Sequence, residues 1–312
     1  MSDTTSLAET FYWMKLAHLV RYAGARSCDI ICDALRYHDW NLEKVFTLSE
    51  PEFRANFPEF GRGRYARLDY ANFHQNIPEP DELELRRVLR HLRSSVRVLS
   101  LVHPDYPTLL RKQLGPDAPP LLYAEGHFPI LSARSIAVIG SRRADPSTLR
   151  IAAVVAEALA DEGYNVVSGF ARGVDCAAHR AALRADGTTT LVLPRGIQTY
   201  LMKRELRVPG WQRNHLVVSQ FHPLAIPRTL SFQMRNRTLV GLSEAVVVID
   251  ANGGGGTTAT ANFARKQGVP VLVLSPERFR YRAYGNMDLI GAGGFEFLTV
   301  AELIGALSLI RE

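Results

Sequence analysis

Two hydrophobic rhythms divide the chain. Up to about residue 95 the apolar residues recur at helical spacing. LAETFYWMKLAHLVRYAG predicts a helix from Leu7 that stops at Gly24, and SCDIICDALRYH predicts a second with Ser27 as its N-cap. SEPEFRANF places Ser49 at an N-cap, Pro51 near the first turn and acids early, a good helix start. DELELRRVLRHLRSS follows Pro78 and Pro80, with acids leading and bases trailing, as the helix dipole favours. A small helical domain over residues 1–95 is expected, with a proline-containing boundary near 76–81.

From about residue 134 the rhythm changes. Short Val/Ile/Leu-rich runs predict strands at 135–140, 165–169, 189–194, 216–220, 244–250 and 270–275. They are continuous rather than alternating, as strands buried on both faces are. Helical stretches at 147–163, 176–187 and 257–268 lie between them, each ending at a glycine. This alternation predicts an α/β fold, a doubly wound, mostly parallel sheet over residues 96–312.

In such sheets ligands bind beyond the carboxyl ends of the strands. The residues there are Gly140-Ser141-Arg142-Arg143, Gly169-Phe170-Ala171-Arg172-Gly173, Pro194-Arg195-Gly196, Gln220-Phe221-His222-Pro223 and Asp250-Ala251-Asn252 followed by GGGGTT. Glycine admits a ligand to the backbone, a helix N-terminus offers free N–H groups, and arginine supplies a planar fork for phosphate oxygens. An anion site at this edge is the expectation. GxGxxG is absent after the first strand, and so is the Walker pattern. The GGGGTT loop reads equally as a phosphate contact or as a flexible strand-to-helix turn.

Charge sharpens the picture. The 312 residues carry net charge +6, and residues 195–237 hold eight bases against the single acid Glu205. A field confined to one segment suits a polyanionic partner or a solvated basic face. Three cysteines, Cys28, Cys32 and Cys176, are too few for a disulfide framework, so a reducing, cytoplasmic setting is expected. No run is long and apolar enough for a membrane helix, and MSDTTSLAET does not resemble a signal peptide.

Catalytic constellations are thin. Asp175 and His179 lie four apart on a predicted helix and are expected to face one another. They read as a base and its orienter, or, preferred here, as a structural pair at the loop–helix junction. Cys28 and Cys32 are assigned to core packing, and Cys176 has no evident activating partner. No metal site and no cofactor are expected.

SGFARGVDCAAHRAAL (168–183) resembles the SGxARGxDxxAH signature of the DNA-processing protein A (DprA, or Smf) family. YPTLLRKQLGPDAPPLLYAEG (106–126), IAVIGSRR (136–143), FQMRNRTLVGLSEAVVVIDA (232–251) and YGNMDLIGAGGFEFLTVAELI (284–304) resemble its other blocks, in order. The resemblance covers about 105–305.

It implies an extended Rossmann-like domain with a small N-terminal helical domain of SAM-like or helix-hairpin-like type. It also implies binding and protection of single-stranded DNA, loading of a RecA-type recombinase in natural transformation, a homodimer and no catalytic activity. Many members add a C-terminal winged-helix domain, and none is expected here. The family's DNA pocket maps onto Arg142, Arg172, Arg235 and Arg237, with Lys203 and Tyr200 as softer matches. The neighbouring Gly140, Ser141, Arg143, Gly169, Phe170, Gly173, Asn236, Gly254, Gly255, Thr257 and Thr258 complete the expected phosphate and DNA contacts. Gly140, Gly169 and Gly254 are expected to let the strand approach the backbone. Phe170, Phe221 and Phe232 are offered as base-stacking rings.

Departures cluster at this edge. Ser219-Gln220 stands for Ser-Glu, Leu201 for proline, PRGIQ for a GxD-type turn, and GGGGTTATA for SGSxxTA. Two alternatives follow. One is a nucleotide-binding enzyme or sensor related to lysine-decarboxylase-like phosphoribohydrolases, although Thr260 stands where their glutamate would be. The other is a paralogue serving a defence system.

Overall fold

A computed structural model of the protein describes residues 7–20, 26–66, 68–74, 86–279 and 283–310. The apolar runs form one nine-stranded sheet, ordered β1-β2-β6-β5-β4-β3-β7-β8-β9. The strands are β1 (Val96–Ser100), β2 (Leu121–Gly126), β3 (Ser135–Gly140), β4 (Asn165–Ser168), β5 (Thr189–Val192), β6 (His215–Ser219), β7 (Ala245–Asp250), β8 (Val271–Leu274) and β9 (Phe295–Phe297). From β6 to β9 all pairing is parallel, while β1 and β2 run antiparallel at one edge. The fold is the expected α/β architecture with a mostly parallel sheet.

The unbroken hydrophobic runs have a simple cause. In β7 every residue is buried, and successive side chains serve opposite faces. Val246 and Val248 join one core cluster, and Ala245, Val247 and Ile249 join the other. The second cluster packs α8 (Pro146–Asp161), α9 (Val174–Arg184) and α13 (Val300–Leu309) on one face. On the opposite face lie α7 (Thr108–Leu114), α10 (Thr229–Gly241), α11 (Gly256–Lys266) and α12 (Tyr284–Gly291).

The N-terminal helices join that same face. They are α1 (Leu7–Val20), α2 (Arg26–His38), α3 (Leu42–Thr47), α4 (Glu50–Asn56), α5 (Tyr70–His74) and a short α6 at 86–90. Trp13 and Leu16 of α1 are fully buried, and α1 packs against β1 and β2. The predicted capping at Ser49 is present, because Glu52 accepts hydrogen bonds from the Ser49 backbone N–H at 2.8 Å and hydroxyl at 2.6 Å. Ser27 is not an N-cap, since α2 already includes Arg26. The proline-containing boundary at 76–81 and Gly24 lie outside the described residues.

The six predicted strands are β3 to β8, and the three central predicted helices are α8, α9 and α11. The edge strands β1 and β9, the neighbouring β2, and helices α7, α10, α12 and α13 are not among the predicted elements. β9 has only three residues, two of them exposed, so it carries no buried-strand pattern. Strand order reverses at β3, whose neighbours are β4 and β7. That reversal opens a crevice beyond the carboxyl ends of β3 and β7.

Candidate functional site

Three segments meet at the crevice: the loop after β3, one face of α10, and the loop after β7 that leads into α11. They enclose an open cavity of about 1130 Å³. Five cationic side chains line it (Arg142, Arg143, Arg235, Arg237 and Lys266) against one acidic one, Asp175. Gly255 and Gly256 bring the N-terminal end of α11 into the wall. Arg142 lies 4.9 Å from the centre of the Phe232 ring, and Arg237 lies 5.4 Å from that of Phe263.

The β3 loop is held from both ends. Asp145 caps α8, accepting from the N–H groups of Ser147 at 2.8 Å and Thr148 at 3.2 Å. Hydrogen bonds from the Ser147 and Thr148 hydroxyls and backbone hold its carboxyl well below the usual range. Ser141 is buried, and its hydroxyl accepts from Arg143 N–H at 3.1 Å and from Asn252 Nδ2 at 3.4 Å. Gly173 is at φ 81°, and a Cβ there would run into the Ser141 carbonyl.

The β7 loop is pinned from below. Fully buried Asn286 accepts from Ala251 N–H at 2.8 Å and donates to the carbonyls of Ile249 (3.1 Å) and Leu274 (2.8 Å). A Cβ on Gly285 would overlap the Ala251 carbonyl. Gly254, at φ 75°, turns the loop toward α11 in a conformation that favours glycine.

Beneath the cavity sits a buried charged cluster. Arg235 is 5% exposed and Asp175 is 6% exposed. Burial pushes the Asp175 carboxyl up, while the Arg235 charge and the Ala171 N–H, 3.1 Å away, pull it down. Burial likewise brings Arg235 down to about 10, so it remains a cation at neutral pH. His179 is fully buried. The Thr189 hydroxyl donates to the Val166 carbonyl at 2.6 Å, so it must accept from His179 Nδ1 at 2.7 Å. Burial first, and then the Lys203 and Arg235 charges, push His179 down to about 3, leaving a neutral ring.

The family model for DNA recombination-mediator protein A matches residues 97–308. The chain belongs to this family. It is 26% identical over 257 residues to DNA processing protein DprA of Bacillus subtilis, covering 81% of this chain and 83% of that relative. It is 34% identical over 159 residues to DprA of Streptococcus pneumoniae, covering 51% of this chain and 56% of that one. Protein Smf of Escherichia coli is 36% identical over 161 residues, covering 51% and 43%. The matched segment therefore spans about half of these last two relatives.

Among solved structures, the X-ray structure of S. pneumoniae DprA shares the fold, with TM-score 0.73, 24% identity and coverage of 97% of this chain and 98% of that one. A Helicobacter pylori DNA processing protein A structure, described for its single-stranded DNA binding mode, aligns with TM-score 0.58 and 26% identity over 68% of this chain and 95% of that one.

Within this member of the DprA/Smf family, the cavity brings together Gly140, Ser141, Arg142, Arg143, Asp175, Arg235, Asn236, Arg237, Gly254, Gly255 and Thr257. Gly169, Phe170, Arg172, Gly173, Lys203, Thr258 and His179 are not in its walls. Several expectations need correction. Arg235 is not displayed along the strand edge but buried beside Asp175. Gly169 makes room for the Arg235 guanidinium and Gly140 for Val174, so both glycines serve protein packing. Asp175 and His179 do not bond to one another; each has its own partner.

Lys203 also turns inward. It donates to the Phe170 carbonyl at 2.8 Å and to Cys176 Sγ at 2.9 Å, so Cys176 does have a basic neighbour. The thiol itself donates to the Ala171 carbonyl at 2.8 Å. Burial pushes it up to about 11, with Lys203 opposing, and it stays a neutral thiol. Phe170 adopts φ 60°, a strained left-handed conformation, with Lys203 4.4 Å from its ring centre. The Thr258 hydroxyl donates to the Asn252 carbonyl at 3.0 Å. Of the three candidate stacking rings, Phe232 alone lines the cavity.

The sequence reading places Asn252 at the ligand edge but misses Phe263 and Lys266 in the walls and Asn286 beneath them. Phe263 and Lys266 were legible as an i, i+3 pair on the helix after GGGGTT. Among the described residues, no group of His, Cys, Asp and Glu is placed to hold a metal ion, and no helix is long and apolar enough to cross a membrane.

Proposed function

We propose that this protein binds single-stranded DNA in the cavity at the sheet's reversal point, without regard to sequence. The carrying observation is the wall chemistry: cationic side chains and a helix N-terminus for phosphates, beside the Arg142–Phe232 pair for a base. The H. pylori relative, whose structure is described for single-stranded DNA binding, supports the same reading. Arg142, Arg143, Arg237 and Lys266 meet the phosphates, while Arg235 is the buried foundation that shapes the floor. Arg172 stands exposed outside the cavity and extends the cationic edge.

Within this reading the protein acts in the cytoplasm as a homodimer that shields single strands and promotes loading of a RecA-type recombinase. The described helices within residues 1–95 form a small accessory unit that packs on the sheet through α1 against β1 and β2. Membership of the DNA recombination-mediator protein A family, matched over residues 97–308, supports the recombination role in this reading.

Salt tests the reading. Neutralising about four phosphates gives a slope of about −3 in log affinity against log salt, at about −0.7 per phosphate for single strands. Fluorescence anisotropy of a labelled oligonucleotide across a salt series measures it. A slope near zero would remove phosphate neutralisation from the account.

One observation favours the enzyme alternative: a buried carboxyl, Asp175, pushed up from its usual value and lining the cavity. Its Oδ2 is engaged by the Ala171 N–H, and α11 carries no acid. Release of free base from a nucleoside monophosphate, followed by chromatography, would support that reading against binding alone.

A further inference from the structure

The cavity does not end at the strand edge. On α10, Phe232, Gln233, Asn236 and Arg237 fall on one face, and on α11 so do Gly256, Thr260 and Phe263. Each set follows the three-to-four spacing of a helix, so the two faces oppose along a groove. Asn236 Nδ2 donates to Thr260 Oγ1 at 2.7 Å, and Thr260 in turn donates to the Gly256 carbonyl at 2.7 Å. This tie crosses the groove floor between two arginine–aromatic pairs. Arg142 with Phe232 is on the strand-edge side of the tie, and Arg237 with Phe263 lies past it. Lys266, three residues beyond Phe263, is exposed and lines the same groove.

We propose that the groove between α10 and α11 is a second nucleotide subsite for a bound single strand. The base rests on Phe263, and its phosphate lies between Arg237 and Lys266. This rests on the single-stranded DNA reading above and specifies where the strand runs after leaving the strand edge.

Three features carry it. The Phe263 ring is half-buried, with one side packed on the core and the rest open to the groove. An aromatic ring flanked by two exposed cations matches the chemistry of a base with its phosphate. Spacing supplies the third. Phe232 and Arg237 are about 7.5 Å apart along the α10 axis, at 1.5 Å per residue. That is about two steps of a stacked strand at about 3.4 Å per step, so one strand reaches both pairs, and each base that lays a face on a ring must give up a stacked neighbour. A duplex cannot meet that requirement without separating its strands, and a stiffly stacked strand meets it poorly. The groove therefore selects flexible single strands, and thymidylates ahead of adenylates.

Anisotropy with oligothymidylates of about two and about twelve nucleotides tests this, the shorter too short to fill both subsites at once and the longer long enough to fill both. Four proteins are compared: wild type, Phe263→Leu, Phe263→Tyr and Lys266→Gln. In wild type the longer oligonucleotide binds more tightly, and more tightly than an oligoadenylate of equal length. Phe263→Leu erases about tenfold of that gain, within the range of losing one base–aromatic stack. Phe263→Tyr keeps the ring and restores it. Lys266→Gln flattens the salt slope by about 0.7.

If Phe263→Leu, folded by circular dichroism, keeps the whole gain, the second subsite is wrong while single-strand binding stands. The same holds if Phe263→Tyr loses the gain as Leu does, because then packing rather than stacking is at work. If wild type binds neither oligonucleotide, the underlying reading fails, and this one with it.

Discussion

Gly169 is small because Arg235 fills the space where a side chain would be. A Cβ built on Gly169 overlaps the Arg235 guanidinium. Gly169 is not among the positive-φ glycines, so alanine fits its backbone and ordinarily gains about 0.4–1 kcal/mol through the unfolded chain. Gly169→Ala must instead displace a cation from beside Asp175, which is 6% exposed. Leaving a buried carboxylate without its cation costs about 3–5 kcal/mol. The expected loss for Gly169→Ala at neutral pH is at the lower end of that range, because the guanidinium swings aside rather than vanishing.

The loss depends on pH. Asp175 is already raised by burial, with Arg235 holding it down. Without that cation its folded value rises further, so the folded state holds its proton over a wider window. Stability then falls as pH climbs through that window, and the penalty is larger at alkaline than at mildly acidic pH. Urea unfolding followed by circular dichroism, on wild type, Gly169→Ala, Arg235→Ala and the double variant, forms a complete cycle. In the Arg235→Ala background, Gly169→Ala is neutral or slightly stabilising. Additive losses in the double variant would refute the reasoning.

Other outcomes follow from the same geometry. His179 titrates near 6.5 unfolded and is pushed down to about 3 in the fold, so stability present above about pH 6.5 drains away as pH falls toward 3. His179→Asn, which keeps a donor for Thr189, flattens that acid limb of the urea midpoint against pH; an unchanged limb would contradict it. Asn286→Ala removes three buried hydrogen bonds and leaves their backbone partners unpaired, costing about 3 kcal/mol or more in urea unfolding at about 1–3 each. A loss below about 1 kcal/mol would mean the β7 loop does not depend on it. Gly173→Ala, at φ 81° and against the Ser141 carbonyl, costs at least about 1–3 kcal/mol of backbone strain, measured the same way.

The central sheet was legible because β3 to β8 are apolar on both faces, and hydrophobicity alone marks such strands. β1 and β9 lie at the sheet's edges, where mixed burial blurs the pattern. The ligand edge was also legible, since glycine and arginine follow β3, β4 and β5 in the text itself. Side-chain direction was not. Arg235 and Arg237 are two residues apart on α10, which turns one inward to Asp175 and the other outward to Phe263. A helix separates such positions by about 200°, so the RNR motif holds one buried and one exposed arginine. Lys203 was misread for a related reason: its approach to Phe170 and Cys176 joins segments far apart in sequence. The Asn286 anchor was likewise invisible, because it reaches back 35 residues to Ala251.

The central claim is that a single strand binds where Arg142 meets Phe232. Anisotropy with single- and double-stranded oligonucleotides, wild type against Arg142→Ala at moderate salt, tests it most directly. The account predicts a clear single-strand preference in wild type. It also predicts a loss of about tenfold or more in Arg142→Ala, the worth of one charged contact at about 1.5–3 kcal/mol. Equal affinity for both oligonucleotides, or a folded Arg142→Ala that binds like wild type, would contradict it.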